Sequence, residues 1–245
     1  MDYDEYRLNG AETVRYLCLF GVLILLISYT FYDSVYAVII LSPAWFIFLK
    51  VVRSTLKEKR RRDLRRQFQD MIDAISSALS AGYSIENSFY EARKDMLRLY
   101  GKDSLSVSEL DGFFLRLETG TPLELVLSDF AKRSGVEDIT DFSEIFVLAK
   151  RNGGNLKEII GKTVKIMKEK DETETEIGVI LSGRKYEQRV MCVIPFGIIL
   201  YLKFSSGSYL NMLYHNAAGV SIMTACLLIY AGSYYLSRKI TDIRV

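Results

Sequence analysis

The feature that most constrains this 245-residue chain is a set of four apolar segments, arranged as two pairs around one long polar stretch. The apolar segments are Val14–Tyr29, Val35–Val52, Val190–Phe204 and Ala217–Leu236, and the polar stretch is Arg53–Arg189. Crossing a hydrocarbon core of about 30 Å takes roughly 17–25 apolar residues in a helix. The pattern therefore predicts two transmembrane hairpins flanking a folded polar domain. A buried core helix is the alternative for each segment, above all for the short third one.

The distribution of basic residues predicts which side of the membrane each part faces. The segment Arg53–Arg66 holds eight basic residues against two acidic ones, whereas Thr30–Ser34 and Ser205–Asn216 hold no lysine or arginine. Because loops rich in lysine and arginine stay in the cytoplasm, we expect the polar domain and both termini there. Lys203, at the outer end of the third segment, is the one basic residue that runs against this pattern.

The basic run that follows the first pair of apolar segments is a candidate contact surface. Such a run is typical of nucleic-acid binding or of contact with anionic lipids. It adjoins a predicted span and has no interleaved aromatic residues, so we expect lipid headgroups rather than nucleic acid. The candidate residues for contact with lipid or a partner are Arg60, Arg61, Arg62, Arg65 and Arg66.

Residues that usually carry catalysis or metal binding are few. The three cysteines lie inside predicted spans, with no CxxC motif and no cysteine–histidine pairing, so no zinc site or disulfide is expected. His215 is the only histidine and lies in a predicted external turn. The apolar segments contain no Asp or Glu, which argues against an ion-coupled transporter. We therefore expect no cofactor, no metal and no enzymatic activity.

The polar domain has the marks of an all-helical fold. Glycines that are expected to end helices follow periodic segments at Gly82, Gly101, Gly120, Gly135 and Gly153–Gly154. Residues typical of helix N-caps or capping boxes occur at Ser84, Ser106–Glu109, Thr121–Glu124 and Asn155–Glu158. These signals predict helices over about 67–81, 84–100, 107–118, 122–134, 138–152 and from 156 onward.

Apolar stripes on these helices predict how they pack. The first predicted helix carries Phe68, Met71, Ile72, Ile75 and Leu79 on one face, and the fifth carries Ile139, Phe142, Ile145, Phe146 and Ala149. Each stripe can be buried only against other helices, which favours a six-helix bundle. The predicted fold is thus an all-α membrane protein with four transmembrane helices, two on each side of a cytoplasmic six-helix bundle. Its predicted parts are 1–13, hairpin 14–52, basic linker 53–66, bundle 67–189, hairpin 190–236 and tail 237–245.

The last helix of the bundle has no decisive stop before Pro195, although Gly178 and Gly183 could bend it. Its segment Lys168–Glu176 is highly charged and has no apolar stripe. This indicates a solvated stalk between domain and membrane. The alternative is an acidic face that binds a basic partner.

Gly161-Lys162-Thr163 resembles the end of a phosphate-binding P-loop, but the rest of that motif is missing. The first glycine of the motif would fall at Leu156, and a strand should precede the loop, where helix is predicted here. We expect no nucleotide site.

Three stretches of the polar domain match the motifs of one family. They are Ala78–Ile85 (ALSAGYSI), Leu117–Pro122 (LETGTP) and Leu148–Leu156 (LAKRNGGNL). Ser88 and Asn152 depart from the usual alanine and serine of those motifs. On these residues the domain resembles the type II secretion F-domain family. With its two-plus-two span layout, the whole chain is most similar to the TadB branch, which serves the tight-adherence (Flp) pilus.

The resemblance implies an architecture rather than a catalytic site, because the shared motifs are mostly glycines and helix caps. Under it, Gly82, Gly120, Gly153 and Gly154 shape turns of the bundle, and Glu118 is a candidate for partner contact. The implied function is an inner-membrane platform that couples a cytoplasmic ATPase to pilin polymerisation. The implied partners are a TadA-like secretion ATPase, a paralogous TadC-like platform protein, pilin subunits and membrane lipids, with the chain forming homo- or hetero-dimers.

Other roles stay open on the sequence. A TadC-type protein or an F protein of another secretion system would share the same domain. A membrane-anchored sensor or scaffold, whose bundle binds a soluble signalling partner, is the alternative from a different class.

Overall fold

A computed structural model describes residues 3, 10–34, 36–152, 155–205, 214 and 216–241. The helices are α1 (Gly10–Ile27), α2 (Tyr36–Leu41), α3 (Ala44–Ser80), α4 (Ile85–Tyr100), α5 (Leu105–Glu118), α6 (Leu123–Ser134), α7 (Glu137–Arg151), α8 (Leu156–Ser205) and α9 (Ala217–Thr241), and a π-helical turn, Ser28–Tyr32, follows α1. No strand occurs among the residues described, which confirms the all-helical prediction. The chain divides into two compact units, Met1–Arg7 with Val52–Glu172, and Leu8–Val51 with Thr173–Val245.

The first unit, which we call the bundle, has one hydrophobic core built by the later part of α3, by α4 to α7 and by the first turns of α8. Aromatic rings link its helices: Phe68 of α3 contacts Phe142 of α7, and Phe113 of α5 contacts Phe130 of α6. Burying each such ring stabilises the fold by about 2–3 kcal/mol. The predicted apolar stripes of α3 and α7 face this core, except that Leu79 is only partly buried and Ile145 is exposed.

Most helix boundaries of the bundle follow the predicted signals. The Ser84 hydroxyl accepts a hydrogen bond from the Asn87 N–H and caps α4, and the Asn155 side chain accepts one from the Glu158 N–H at α8. Gly82 and Gly120 have positive φ angles of 96° and 80° after α3 and α5. Both turns carry the paired hydrogen bonds of a Schellman motif, which satisfy carbonyls at the helix end.

Two predicted capping boxes are wrong. Helix α5 is capped by Ser104, whose hydroxyl accepts from the Val107 N–H, because the N–H of Ser106 is already bonded to the Gln67 side chain. Helix α6 begins after Pro122 without a side-chain cap. The expected capping acids have other partners: Glu109 pairs with Arg133 and Glu124 with Lys150.

Helix α3 begins far before the predicted residue 67. No glycine or proline interrupts Ala44–Ser80, so the basic segment 53–66 is helical and continuous with the first bundle helix. Leu64, within this segment, is buried in the core.

The second unit, which we call the membrane unit, contains helices long and apolar enough to cross a bilayer. Three such stretches occur among the residues described: Gly10–Tyr32, a part of Leu156–Ser205, and Ala218–Ser237. This confirms the prediction of apolar, membrane-length helices. The second apolar segment, by contrast, is divided by a turn at Ser42–Pro43 into α2 and the start of α3, because proline lacks the N–H that a continuous helix needs. A fourth crossing stays a prediction.

Helix α8 is continuous for 50 residues and belongs to both units. Ile160, Val164 and Met167 bury its first turns in the bundle core. Gly178, Gly183 and Pro195 all lie inside it without ending it. Near Pro195, whose ring removes one helical hydrogen bond, the Tyr230 hydroxyl of α9 donates to the Cys192 carbonyl at 2.7 Å.

Candidate functional site

Three of the five arginines predicted to contact lipid or a partner make contacts inside the bundle. Arg60 lies 5.0 Å from the centre of the Tyr3 ring, and Arg65 pairs with Asp138. The Arg61 guanidinium occupies the space beside Gly135, where a Cβ atom would come within 2.0 Å of it. Gly135 also has a positive φ of 58°, a backbone conformation that glycine adopts most readily.

The remaining two arginines of the set, Arg62 and Arg66, are exposed on α3. The charge of Arg66 also acts on Tyr100 of α4, whose hydroxyl donates to Asp70. Both side chains are exposed, as contact with a lipid headgroup or a partner requires. The prediction of such contact stays a prediction for all five.

A pocket formed by Arg60, Glu109 and Arg133, on helices α3, α5 and α6, holds Tyr3. We call it the tyrosine pocket. The Tyr3 hydroxyl donates to Glu109 Oε1 at 2.9 Å, and its backbone N–H donates to the Arg133 carbonyl at 3.2 Å. Both terminal guanidinium nitrogens of Arg133, Nη1 and Nη2, donate to the Glu109 carboxylate, at 3.1 and 2.8 Å. Burial, followed by the neighbouring Glu109 carboxylate, raises the pKa of Tyr3 well above its ordinary value.

A second buried charge, Asp138 at the start of α7, joins three helices. Its carboxylate pairs with Arg65 of α3 and, at 3.0 Å, with Lys170 of α8. The hydrogen bond to Asp138 raises the pKa of Lys170. Nearby, Lys168 of α8 pairs with Asp73 of α3 at 2.8 Å. Ion pairs therefore attach α8 to α3 and α7 just before α8 passes into the membrane unit.

Three clefts of about 230, 360 and 250 Å³ lie along α3, and the first two share Asp70. Their linings hold seven carboxylates and three cations. The acids are Asp63, Asp70, Asp73, Asp95, Asp103, Asp171 and Glu172; the cations are Arg66, Arg98 and Lys168. We call this surface the acidic clefts. It includes two acids of the predicted acidic face of α8 and adds five from α3, α4 and the turn before α5, and it is suited to a basic partner.

The other predicted site residues are at turns or on the surface. Gly82 and Gly120 form the turns after α3 and α5, and Glu118 is exposed at the last residue of α5. Gly153 and Gly154 lie outside the described residues.

The P-loop-like stretch Gly161–Thr163 lies inside α8. The Thr163 hydroxyl donates to the Ile159 carbonyl one turn earlier, and the Lys162 ammonium pairs with Glu158 at 2.8 Å. Their backbone therefore has helical geometry instead of the open loop that wraps a phosphate.

The membrane unit has its own polar cluster, around Lys203 near the end of α8. The Lys203 ammonium donates to Asp33 at 2.6 Å and to the Tyr29 carbonyl at 2.8 Å, and it lies 3.5 Å from the centre of the Tyr29 ring. The Tyr214 hydroxyl donates to the Thr30 carbonyl at 2.8 Å. The cluster connects the π turn after α1 with α8 and with Tyr214 ahead of α9. Asp33 also balances the positive charge of Lys203, the one basic residue at the outer end of a predicted span.

We expect Lys203→Met and Asp33→Asn each to destabilise the membrane unit, and the double variant to lose less than the sum. The pair is partly shielded from water, so the coupling energy should be about 1 kcal/mol. Unfolding of the full chain in mixed micelles measures it, with Lys50→Met, an exposed lysine of α3, as the matched control. Strictly additive losses would show that the pair contributes nothing.

Sequence reasoning missed Tyr3, Asp138 and the Lys203–Asp33 pair. The partners are distant in the chain: Tyr3 and Glu109 are 106 residues apart, and Arg65 and Asp138 are 73. For Lys203 a signal existed, because an unpaired cation at the end of a span requires a partner and Asp33 is the only acidic residue in the turn 30–34.

Comparison of the chain with protein-family models, with curated proteins and with solved structures finds no significant match in any of the three. A functional assignment for this chain therefore rests on its own sequence motifs, fold and side-chain contacts.

Proposed function

We propose that this chain is a non-enzymatic platform of the type II secretion F-domain family, of the TadB kind, on which a type IV-like pilus or related secretion filament assembles. It receives movement from a cytoplasmic ATPase through the bundle and passes it to pilin subunits through the membrane unit. The motifs at Ala78–Ile85, Leu117–Pro122 and Leu148–Leu156 support the family assignment.

One observation carries the proposal: α8 is a single helix that begins in the bundle core and ends in an apolar stretch of membrane-spanning length. A continuous helix transmits displacement along its axis, because its backbone hydrogen bonds join successive turns. Ion pairs of Lys168 and Lys170 attach α8 to α3 and α7. A displacement of those helices therefore acts on α8 directly.

The proposed topology has four crossings, two on each side of the bundle, with the bundle and both termini in the cytoplasm. The supporting evidence is the basic segment of α3, the absence of lysine and arginine from the turns 30–34 and 205–216, and the basic residues after the fourth apolar segment, Arg238, Lys239 and Arg244. Lys203 is the one exception to that charge pattern, and its ammonium is paired with Asp33.

The acidic clefts are the proposed contact surface for the ATPase, through a basic element of that partner. Charge complementarity of this kind accelerates association and selects the partner more than it adds affinity. A TadC-like paralogue is the proposed second platform subunit.

The proposal predicts that the purified full-length chain hydrolyses no ATP and co-purifies with the filament ATPase of its host. Charge reversal in the clefts, by Asp95→Lys with Asp103→Lys, should reduce co-purification about tenfold, as loss of roughly 1.4 kcal/mol would. The matched control is Asp141→Lys with Glu144→Lys, two exposed acids on α7.

ATP hydrolysis by the chain alone, abolished by Lys162→Ala, would overturn the proposal. Recovery of a soluble signalling protein instead of an ATPase, in cells that still form normal filaments, would favour the sensor or scaffold class.

A further inference from the structure

Tyr3 is held in the tyrosine pocket more firmly than a residue so near the chain start usually is. Its side chain is only 2% exposed, and its hydroxyl, ring and backbone N–H each have a separate partner. The partners come from three different helices of the bundle. The pocket is thus a built site, and its occupant is Tyr3 of the same chain.

The pocket is specific for an aromatic residue that carries a hydroxyl. Glu109 is buried, Arg133 donates to both of its oxygens, and its Oε1 also accepts the hydrogen bond of the Tyr3 hydroxyl. The Arg60 guanidinium faces the ring, a contact that needs an aromatic group. Tyrosine satisfies both requirements, whereas phenylalanine satisfies only the second.

The position of Tyr3 limits where α1 can begin. Tyr3 and Gly10, the first residue of α1, are seven Cα–Cα steps apart. A fully extended chain covers about 3.6 Å per step, or about 25 Å in all, which is less than the roughly 30 Å hydrocarbon core. The link is therefore too short to cross the bilayer.

The same reasoning applies to the chain between α1 and the bundle. Gly10–Tyr32 is long enough to cross the membrane, and Val52 already belongs to the bundle. If α1 crosses, the segment 33–51 has to cross back. Contacts within the membrane unit agree with this: Phe20, in the middle of α1, packs against Trp45 and Phe48 at the start of α3.

We infer that the tyrosine pocket is a docking site for the chain's own N-terminal segment, and that this docking makes the first apolar pair a closed hairpin. Its return passage is the divided helix α2–α3, with the Ser42–Pro43 turn at membrane depth. The Ser42 hydroxyl and N–H both donate to the Ile39 carbonyl, which reduces the number of unpaired backbone groups at that turn.

A photo-crosslink tests the docking in the full chain in its membrane. With 3-azidotyrosine, which keeps the hydroxyl, in place of Tyr3, we expect adducts in α5 or α6, identified by mass spectrometry. The matched control carries the same probe in place of Tyr83, an exposed residue of the bundle. Adduct yield at position 3 no higher than at position 83 would overturn the inference.

Thiol labelling tests the hairpin, in a background where Cys18, Cys192 and Cys226 are replaced by serine. Single cysteines are introduced as Gly10→Cys, Ser34→Cys and Ser108→Cys, the last marking the bundle side. With an impermeant maleimide, Gly10→Cys should react from the same side as Ser108→Cys, and Ser34→Cys from the opposite side. Reaction of Gly10→Cys from the side opposite to Ser108→Cys, or of Ser34→Cys from the same side as Ser108→Cys, would contradict the inference. The hairpin rests on the topology proposed above, but neither experiment depends on filaments, so its failure is distinguishable from failure of the platform role.

Discussion

Replacing Asp138 by asparagine is expected to lower the free energy of unfolding of the bundle by about 3 kcal/mol, at the low end of the range for breaking a buried ion pair. The variant leaves Arg65 and Lys170 facing each other without their shared carboxylate. The expected loss of stability lies at the low end of that range because both cations retain some exposure to water. For a unit of this size the loss corresponds to a fall of about 12 °C in melting temperature.

Thermal unfolding of the full chain in detergent, followed by circular dichroism, measures this loss. Asp141→Asn is the matched control, because Asp141 is an exposed carboxylate one turn further along α7. Equal melting temperatures for the two variants would show that the Asp138 contacts do not stabilise the bundle.

Replacing Gly178 by proline is expected to abolish filament assembly while leaving the chain folded and inserted. Gly178 lies in the part of α8 that belongs to the membrane unit, and a Cβ atom there meets nothing within 4 Å. The new Cβ atom therefore meets no neighbouring side chain, but the proline removes a backbone hydrogen bond and breaks or kinks the helix at a cost of about 3 kcal/mol. A broken α8 cannot transmit displacement along its axis.

The matched control is Gly178→Ala, which fits the same space and favours the helix by about 1 kcal/mol. Filaments counted by electron microscopy, with the membrane level of each variant determined in parallel, give the comparison. Normal filament numbers for Gly178→Pro would contradict the role proposed for a continuous α8. Loss of filaments in both variants would point to a requirement for glycine itself.

Periodic patterns predicted much of this fold, because burial of a helix face depends on residues a few positions apart. The stripe from Phe68 to Ile75 is buried as expected, and the glycines after α3 and α5 have the positive φ angles expected of them. The turn at Ser42–Pro43 had a local signal too, since a serine–proline pair favours a turn.

Contacts between distant residues account for what the sequence did not predict. Ser104 and Ser106 are locally equivalent as N-caps, and Gln67 of another helix decides between them. Glu109 fitted a capping box on spacing alone, but Arg133 and Tyr3 bind it instead. The candidate site was the least predictable part, because no periodicity indicates that α3, α4, α8 and the turn before α5 would bring seven carboxylates together.

Filament formation in a strain of the host that lacks this chain tests the central claim most directly. The platform role predicts that pilin subunits are still made and accumulate unassembled in the membrane, and that the wild-type chain restores filaments. Filaments of normal number and length in the deletion strain would contradict it.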